Sequence, residues 1–155
     1  MSVSENQGGR SFRASLMVMV AFMAAATIGA SAEASYRPPE RIWGDYHAVS
    51  VSGAGAARLF DRPKEIGVGL SHGKRGQWIG WEANCNGFGA RLRIGRKRFR
   101  LGSITASTVG CPNLWGRQDN WLESLFSAGP HWLLRRGLLV FRGNGRVLRL
   151  GTRSG

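Results

Sequence analysis

Few residue types in this 155-residue chain could carry chemistry, and they are thinly spread. There are two cysteines, Cys85 and Cys111, three histidines, His47, His72 and His131, and nine carboxylates. A thiolate metal site needs further ligands at close spacing, and no histidine stands at ligand spacing from either cysteine. No metal or other cofactor is therefore expected. The chain has no Gly-x-Ser-x-Gly elbow and no His-Glu-x-x-His helix, and Gly87-Phe88-Gly89 is too short to cradle a phosphate. It reads as a non-enzyme with no catalytic residues.

Positive charge is the chemistry it has in quantity. Lys and Arg total 22 against 9 acidic residues, a formal net charge of +13, and 19 of the 22 are arginine. The densest stretch is Arg91, Arg93, Arg96, Lys97, Arg98 and Arg100. Side chains on a strand alternate faces, so Phe88, Ala90, Leu92 and Ile94 point one way while Arg91 and Arg93 point the other. Phe99 and Leu101 oppose Arg98 and Arg100 in the same manner. With the apolar residues inward, four arginines gather on one outer face, and Arg96 and Lys97 sit at the hairpin tip. That ribbon suits either docking of an anionic partner or a solvated face that discourages edge pairing.

The compartment follows from the other end of the chain. Arg10 and Arg13 precede an apolar run from Leu16 to Ala30 that closes on Ala30-Ser31-Ala32, the three-part pattern of a secretory signal peptide over residues 1–32. The run is shorter than the roughly 20 residues that span a bilayer, no other segment is a candidate transmembrane helix, and no cysteine stands at the end of the run for lipid attachment. The mature chain is expected to be periplasmic or secreted. There a lone pair of cysteines forms a disulfide, Cys85 to Cys111, adding roughly 3 to 4 kcal/mol of stability through loop closure. Nucleic acid is not the expected partner outside the cytoplasm. Anionic lipid, lipopolysaccharide or an envelope protein fits better.

Elements that would hold these residues can be read from the punctuation. Residues 33–42 hold a Pro pair and read as an extended leader, with the domain over 43–151 and a tail at 152–155. Short apolar runs alternate with Gly-rich breaks: 46–51, 66–71, 77–83, 88–94, 98–101 and 103–109, then 131–135, 138–142 and 146–150. They predict antiparallel strands joined by tight turns. One segment, 117–128, has Trp121, Leu122, Leu125 and Phe126 at helical spacing and stops at Gly129-Pro130, and Asp119 near its start suits the helix dipole. Trp78, Trp81, Trp121 and Trp132 are expected either to fill a small barrel or to line an apolar cavity within it.

The stretch Asn84-Cys85-Asn86-Gly87-Phe88-Gly89 resembles the Cys-Asn-x-Phe core of the META domain, the domain of the HslJ-type heat-shock proteins. Ser107-Thr108-Val109-Gly110-Cys111 stands where that family has a second cysteine after one hairpin, and Leu148-Arg149-Leu150 supplies its closing L-x-L. Departures are Ala90 for a common Gly, Ser107 for Thr, and Asn84 for the Gly before the first cysteine. The resemblance implies a mainly β fold with one helix, a small incompletely closed antiparallel barrel or curved sheet, similar to secretin pilot proteins. It also implies an exported envelope protein tied to stress or antibiotic tolerance, without an established reaction. Within the motif, Asn86-Gly87 is expected to supply a turn and Phe88 to begin an inward-facing strand.

Overall fold

The structure is a computed structural model that describes residues 36–152. The expected signal peptide lies outside the described residues. Eight strands form one antiparallel sheet: β1 Gly44–Gly53, β2 Gly67–Gly73, β3 Gly76–Glu82, β4 Gly87–Ile94, β5 Phe99–Ala106, β6 His131–Arg135, β7 Leu138–Gly143 and β8 Arg146–Thr152. A short helix, α1 Ala56–Leu59, follows β1, and the main helix, α2 Asn113–Ser127, separates β5 from β6. Spatial order is β5-β4-β3-β2-β1-β8-β7-β6, so the sheet curls until its two outermost strands meet.

They meet at one end only. Arg98 and His131 form an antiparallel bridge, flanked by Phe99 N–H to the Pro130 carbonyl at 3.0 Å and Trp132 N–H to the Lys97 carbonyl at 3.1 Å. Beyond that bridge β5 and β6 diverge, and α2 packs on β5, β7 and α1. Its buried stripe, Trp121, Leu122, Leu125 and Phe126, completes the core. Phe126 touches Trp81 and Phe141 with ring centroids 4.8 and 5.3 Å apart. This is the mainly β open barrel with one main helix expected from the sequence, and the short α1 is an addition to it.

The inward residues obey period two: Tyr46 and Ala48, Val68 and Leu70, Ile79 and Trp81, Ala90, Leu92 and Ile94, Leu139 and Phe141, Leu148 and Leu150 are all buried. Two hairpins turn through residue pairs with positive φ, Arg136-Gly137 and Asn144-Gly145, the geometry that matches strand twist. Gly129 takes φ +61 after α2, as a left-handed helix stop requires.

Four sequence expectations are corrected. The segments 98–101 and 103–109 are one strand, β5, interrupted by a bulge where Ala90 pairs Ile104 but Leu92 pairs Leu101. One extra β5 residue opposes Arg91 there, and residues 107–109 leave the sheet to enter the disulfide loop. Helix α2 starts at Asn113, four residues before the apolar periodicity, because Leu114 and Trp115 in its first turn face solvent at 40% and 42% exposure. The stretch read as an extended leader packs on the body over its described part: Pro38 and Ile42 are buried. Residues Glu40–Ile42 form a 3-10 turn. The Tyr46 hydroxyl donates to the carbonyls of Ile42 at 2.8 Å and Arg41 at 3.2 Å. At the other end, the expected tail begins too early, since β8 runs through Thr152.

Candidate functional site

Around the cysteine motif the fold builds a polar knot. Cys85 and Cys111 are disulfide-bonded with Cα atoms 6.0 Å apart, joining the entry to β4 to the loop before α2. Asn86 sits between them as a hub. Its side-chain oxygen accepts from the Val109 N–H at 2.9 Å and the Ser107 hydroxyl at 3.3 Å. Its amide nitrogen donates to Asp119 Oδ2 at 2.9 Å and lies 2.9 Å from Cys111 Sγ. Its backbone N–H reaches the same carboxylate oxygen at 3.2 Å. Ser107 Oγ in turn accepts the Gly87 N–H at 3.1 Å. Asn86 and Gly87 are thus not the expected turn: Gly87 begins β4, the bend falls at Asn84-Cys85, and Asn86 bonds both the disulfide loop and α2.

Two members of this knot, Gln118 and Asp119, come from the buried face of α2. Asp119 is 4% exposed, in the helix's second turn rather than near its start. Its partner is therefore Asn86 and not the helix dipole. Gln118 bridges Asn84, at 2.8 Å, and the Leu59 carbonyl at the end of α1. Both were legible in principle, since residues 118 and 119 stand three or four positions before Trp121 and Leu122 and so share their apolar stripe. A polar pair on a buried face needs partners. Cys85, Cys111 and Asp119 offer ligand atoms within 4.8 Å of one another, but the S–S bond leaves the sulfurs no thiolate charge to give a metal ion. The knot's chemistry is cross-linking.

Phe88 opens the inward face of β4 and lies parallel to Trp81, ring centroids 5.4 Å apart. The four tryptophans named as possible cavity lining do not meet in one place. Trp81 and Trp121 are buried core. Trp132 is half-buried and straps the seam, its indole N–H donating to the Gly95 carbonyl at 2.8 Å. Trp78 is on the outer face, 39% exposed, with the Arg91 guanidinium 5.5 Å from its ring centroid.

The arginines are brought together. Arg91, Arg93 and Arg100 are exposed on the outer face of β4 and β5, Arg98 is exposed just before β5, and Arg96 and Lys97 occupy the hairpin tip. Arg93 is the cross-strand partner of Arg100. Arg98 is turned to the seam, donating to the Gly129 carbonyl at 3.1 Å. Sequence reasoning missed Arg75, in the β2–β3 turn, and Tyr36. Both join Arg91, Arg93 and Arg100 around a groove of about 840 Å³. No sequence signal links them, because the juxtaposition depends on how the sheet curls.

A second groove, of about 480 Å³, crosses the same outer face. Asp45, Gly69, Gly80, Gly89 and Thr105 are successive partners across β1 to β5. Three bare positions in a row leave main chain as its floor, with the Glu82 carboxylate at its side.

These features define a class: a small, disulfide-tied open barrel whose main helix is riveted to the motif loop. The META domain family model matches residues 42–154, and the chain belongs to that family. No curated protein matches it. Two solved NMR structures share the fold. One, of a protein from Burkholderia xenovorans, has a TM-score of 0.54 at 11% identity, over 83% of this chain and 100% of its own. The other has a TM-score of 0.51 at 16% identity, over 70% of this chain and 87% of its own. Among the described residues, no helix is long and apolar enough to cross a membrane.

Proposed function

We propose that this META-domain protein is exported to the bacterial cell envelope, where it acts without catalysis as a binding module for an anionic partner in stress or antibiotic tolerance. The observation that carries the reading is the arginine face: Arg91, Arg93 and Arg100 exposed together on the outer side of β4 and β5, with Arg98 exposed at its end beside the seam. The signal-peptide pattern of residues 1–32 supports export. The envelope offers such a face anionic lipid and lipopolysaccharide. Asn86 and Ser107, the family-motif polar groups, have their hydrogen bonds committed to one another and to neighbouring segments, which favours a structural motif over a reactive one.

Replacing Arg91, Arg93, Arg98 and Arg100 together with serine tests it by co-sedimentation with phosphatidylcholine vesicles containing phosphatidylglycerol. Each arginine near an anionic surface contributes about 1 kcal/mol, so binding should weaken by roughly a thousandfold. Wild-type binding should itself fall as salt rises, because exposed charges are screened beyond about 8 Å at physiological ionic strength. Unchanged binding by the variant would leave the face as mere solvated charge.

A further inference from the structure

The arginine face is not uniform, and its shape names the partner's chemistry; the inference rests on the reading of that face as the site of an anionic partner. Arg93 and Arg100 stand directly opposite each other on adjacent strands. Like charges so placed destabilise a sheet. Arg91 and Arg75 open onto the same groove, and none of the described residues lining it is acidic. Among the described residues neither the Arg75 nor the Arg93 guanidinium has an ion-pair or hydrogen-bond partner, while Arg91 is held against the Trp78 ring. Among the described residues the fold thus gathers Arg75, Arg91 and Arg93 at one concavity with no acidic side chain in its lining.

We propose that this groove is a binding site for a phosphate monoester. A monoester carries a charge of about −1.5 to −2 and three terminal acceptor oxygens at neutral pH. Guanidiniums present planar forks of N–H donors that match phosphate oxygens in pairs. A diester, with one charge and two free oxygens, leaves part of such a set unmatched. The volume, about 840 Å³, far exceeds a phosphate and accommodates a sugar-sized group bearing it. The Gln77 side-chain oxygen accepts the Ile94 N–H at 3.2 Å, which leaves its NH2 as a donor, and Gln77 and Tyr36 both line the groove. A soluble sugar phosphate and a phosphorylated lipid headgroup share this chemistry.

The test compares wild type with Arg75→Gln, a change in an exposed turn off the β4–β5 ribbon, after thermal melts show both chains folded. Glucose 6-phosphate is titrated by calorimetry. Phosphatidylcholine vesicles containing phosphatidic acid, and others containing phosphatidylglycerol at matched surface charge, are used for co-sedimentation. Wild type should bind at least one monoester probe roughly tenfold more tightly than the diester vesicles. Arg75→Gln should remove most of that preference and leave diester binding nearly intact. Binding of the free sugar phosphate assigns a soluble source, and binding of phosphatidic acid vesicles alone assigns a lipid one. A wild type without monoester preference, or a preference untouched in Arg75→Gln, overturns the proposal while the arginine face stands. If the four-serine variant keeps its vesicle binding, the face reading itself fails.

Discussion

At the scale of single residues, Cys85 and Asp119 hold the same loop by different physics, and their loss should look different. The disulfide closes a loop of sequence separation 26, which restricts the unfolded chain and stabilises the fold by roughly 3 to 4 kcal/mol. Cys85→Ser should lower the urea midpoint accordingly under oxidising conditions and leave it near wild type with reductant present. Asp119→Ala removes the acceptor for the Asn86 backbone and side-chain N–H groups. That should cost about 1 to 3 kcal/mol in both redox conditions, since the orphaned donors stay buried either way. Equal loss from Cys85→Ser with and without reductant would show that the residue matters by packing and not by its bond. The cysteine pair was legible because a chain with two cysteines leaves one pairing. The role of Asp119 was not, because a carboxylate near a helix start has a sufficient local explanation, and only the long-range approach of Asn86 replaces it.

At the scale of elements, the seam between β5 and β6 depends on the stop after α2. Gly129 stands at φ +61, and a Cβ there would lie 3.2 Å from the Phe99 carbonyl oxygen, part of the seam. Its own carbonyl accepts from Arg98, and the next residue, Pro130, receives the Phe99 N–H. Gly129→Ala should therefore cost about 1 to 2 kcal/mol, more than glycine replacement at an unstrained site. Hydrogen exchange should quicken at Phe99 and Trp132 before it does at Ile79 or Leu148. Uniform exchange across the sheet would mean that the seam carries no special share of the stability. The glycine stop and most strands were legible because local periodicity and turn chemistry encode them. The β5 bulge was not, since Gly102 reads equally as a break between strands. Nor was the first turn of α2, whose apolar residues face outward, or the packed leader, which is fixed by Tyr46 from within the barrel.

For the whole molecule, the identity of its positive charge sets how stability responds to pH. With 19 arginines among 22 basic residues, the net charge persists far into the alkaline range, since arginine stays protonated there. Alkaline sensitivity must come from other groups, and Tyr46 stands out. Burial raises its phenol above the ordinary 10.0, and its hydroxyl donates to the leader carbonyls. Above pH 10 the unfolded chain loses that proton while the folded chain keeps it. The unfolded state then binds fewer protons, and stability falls with rising pH. The contribution is fully present below pH 10 and is lost as pH climbs through the raised folded value, at no more than about 1.4 kcal/mol per pH unit. Tyr46→Phe should cost about 1 kcal/mol at pH 7, through the lost hydrogen bonds, yet lose less stability than wild type between pH 10 and 12. The two urea midpoints should therefore converge as pH rises, and parallel curves would mean that the buried phenol does not tie the leader to the barrel.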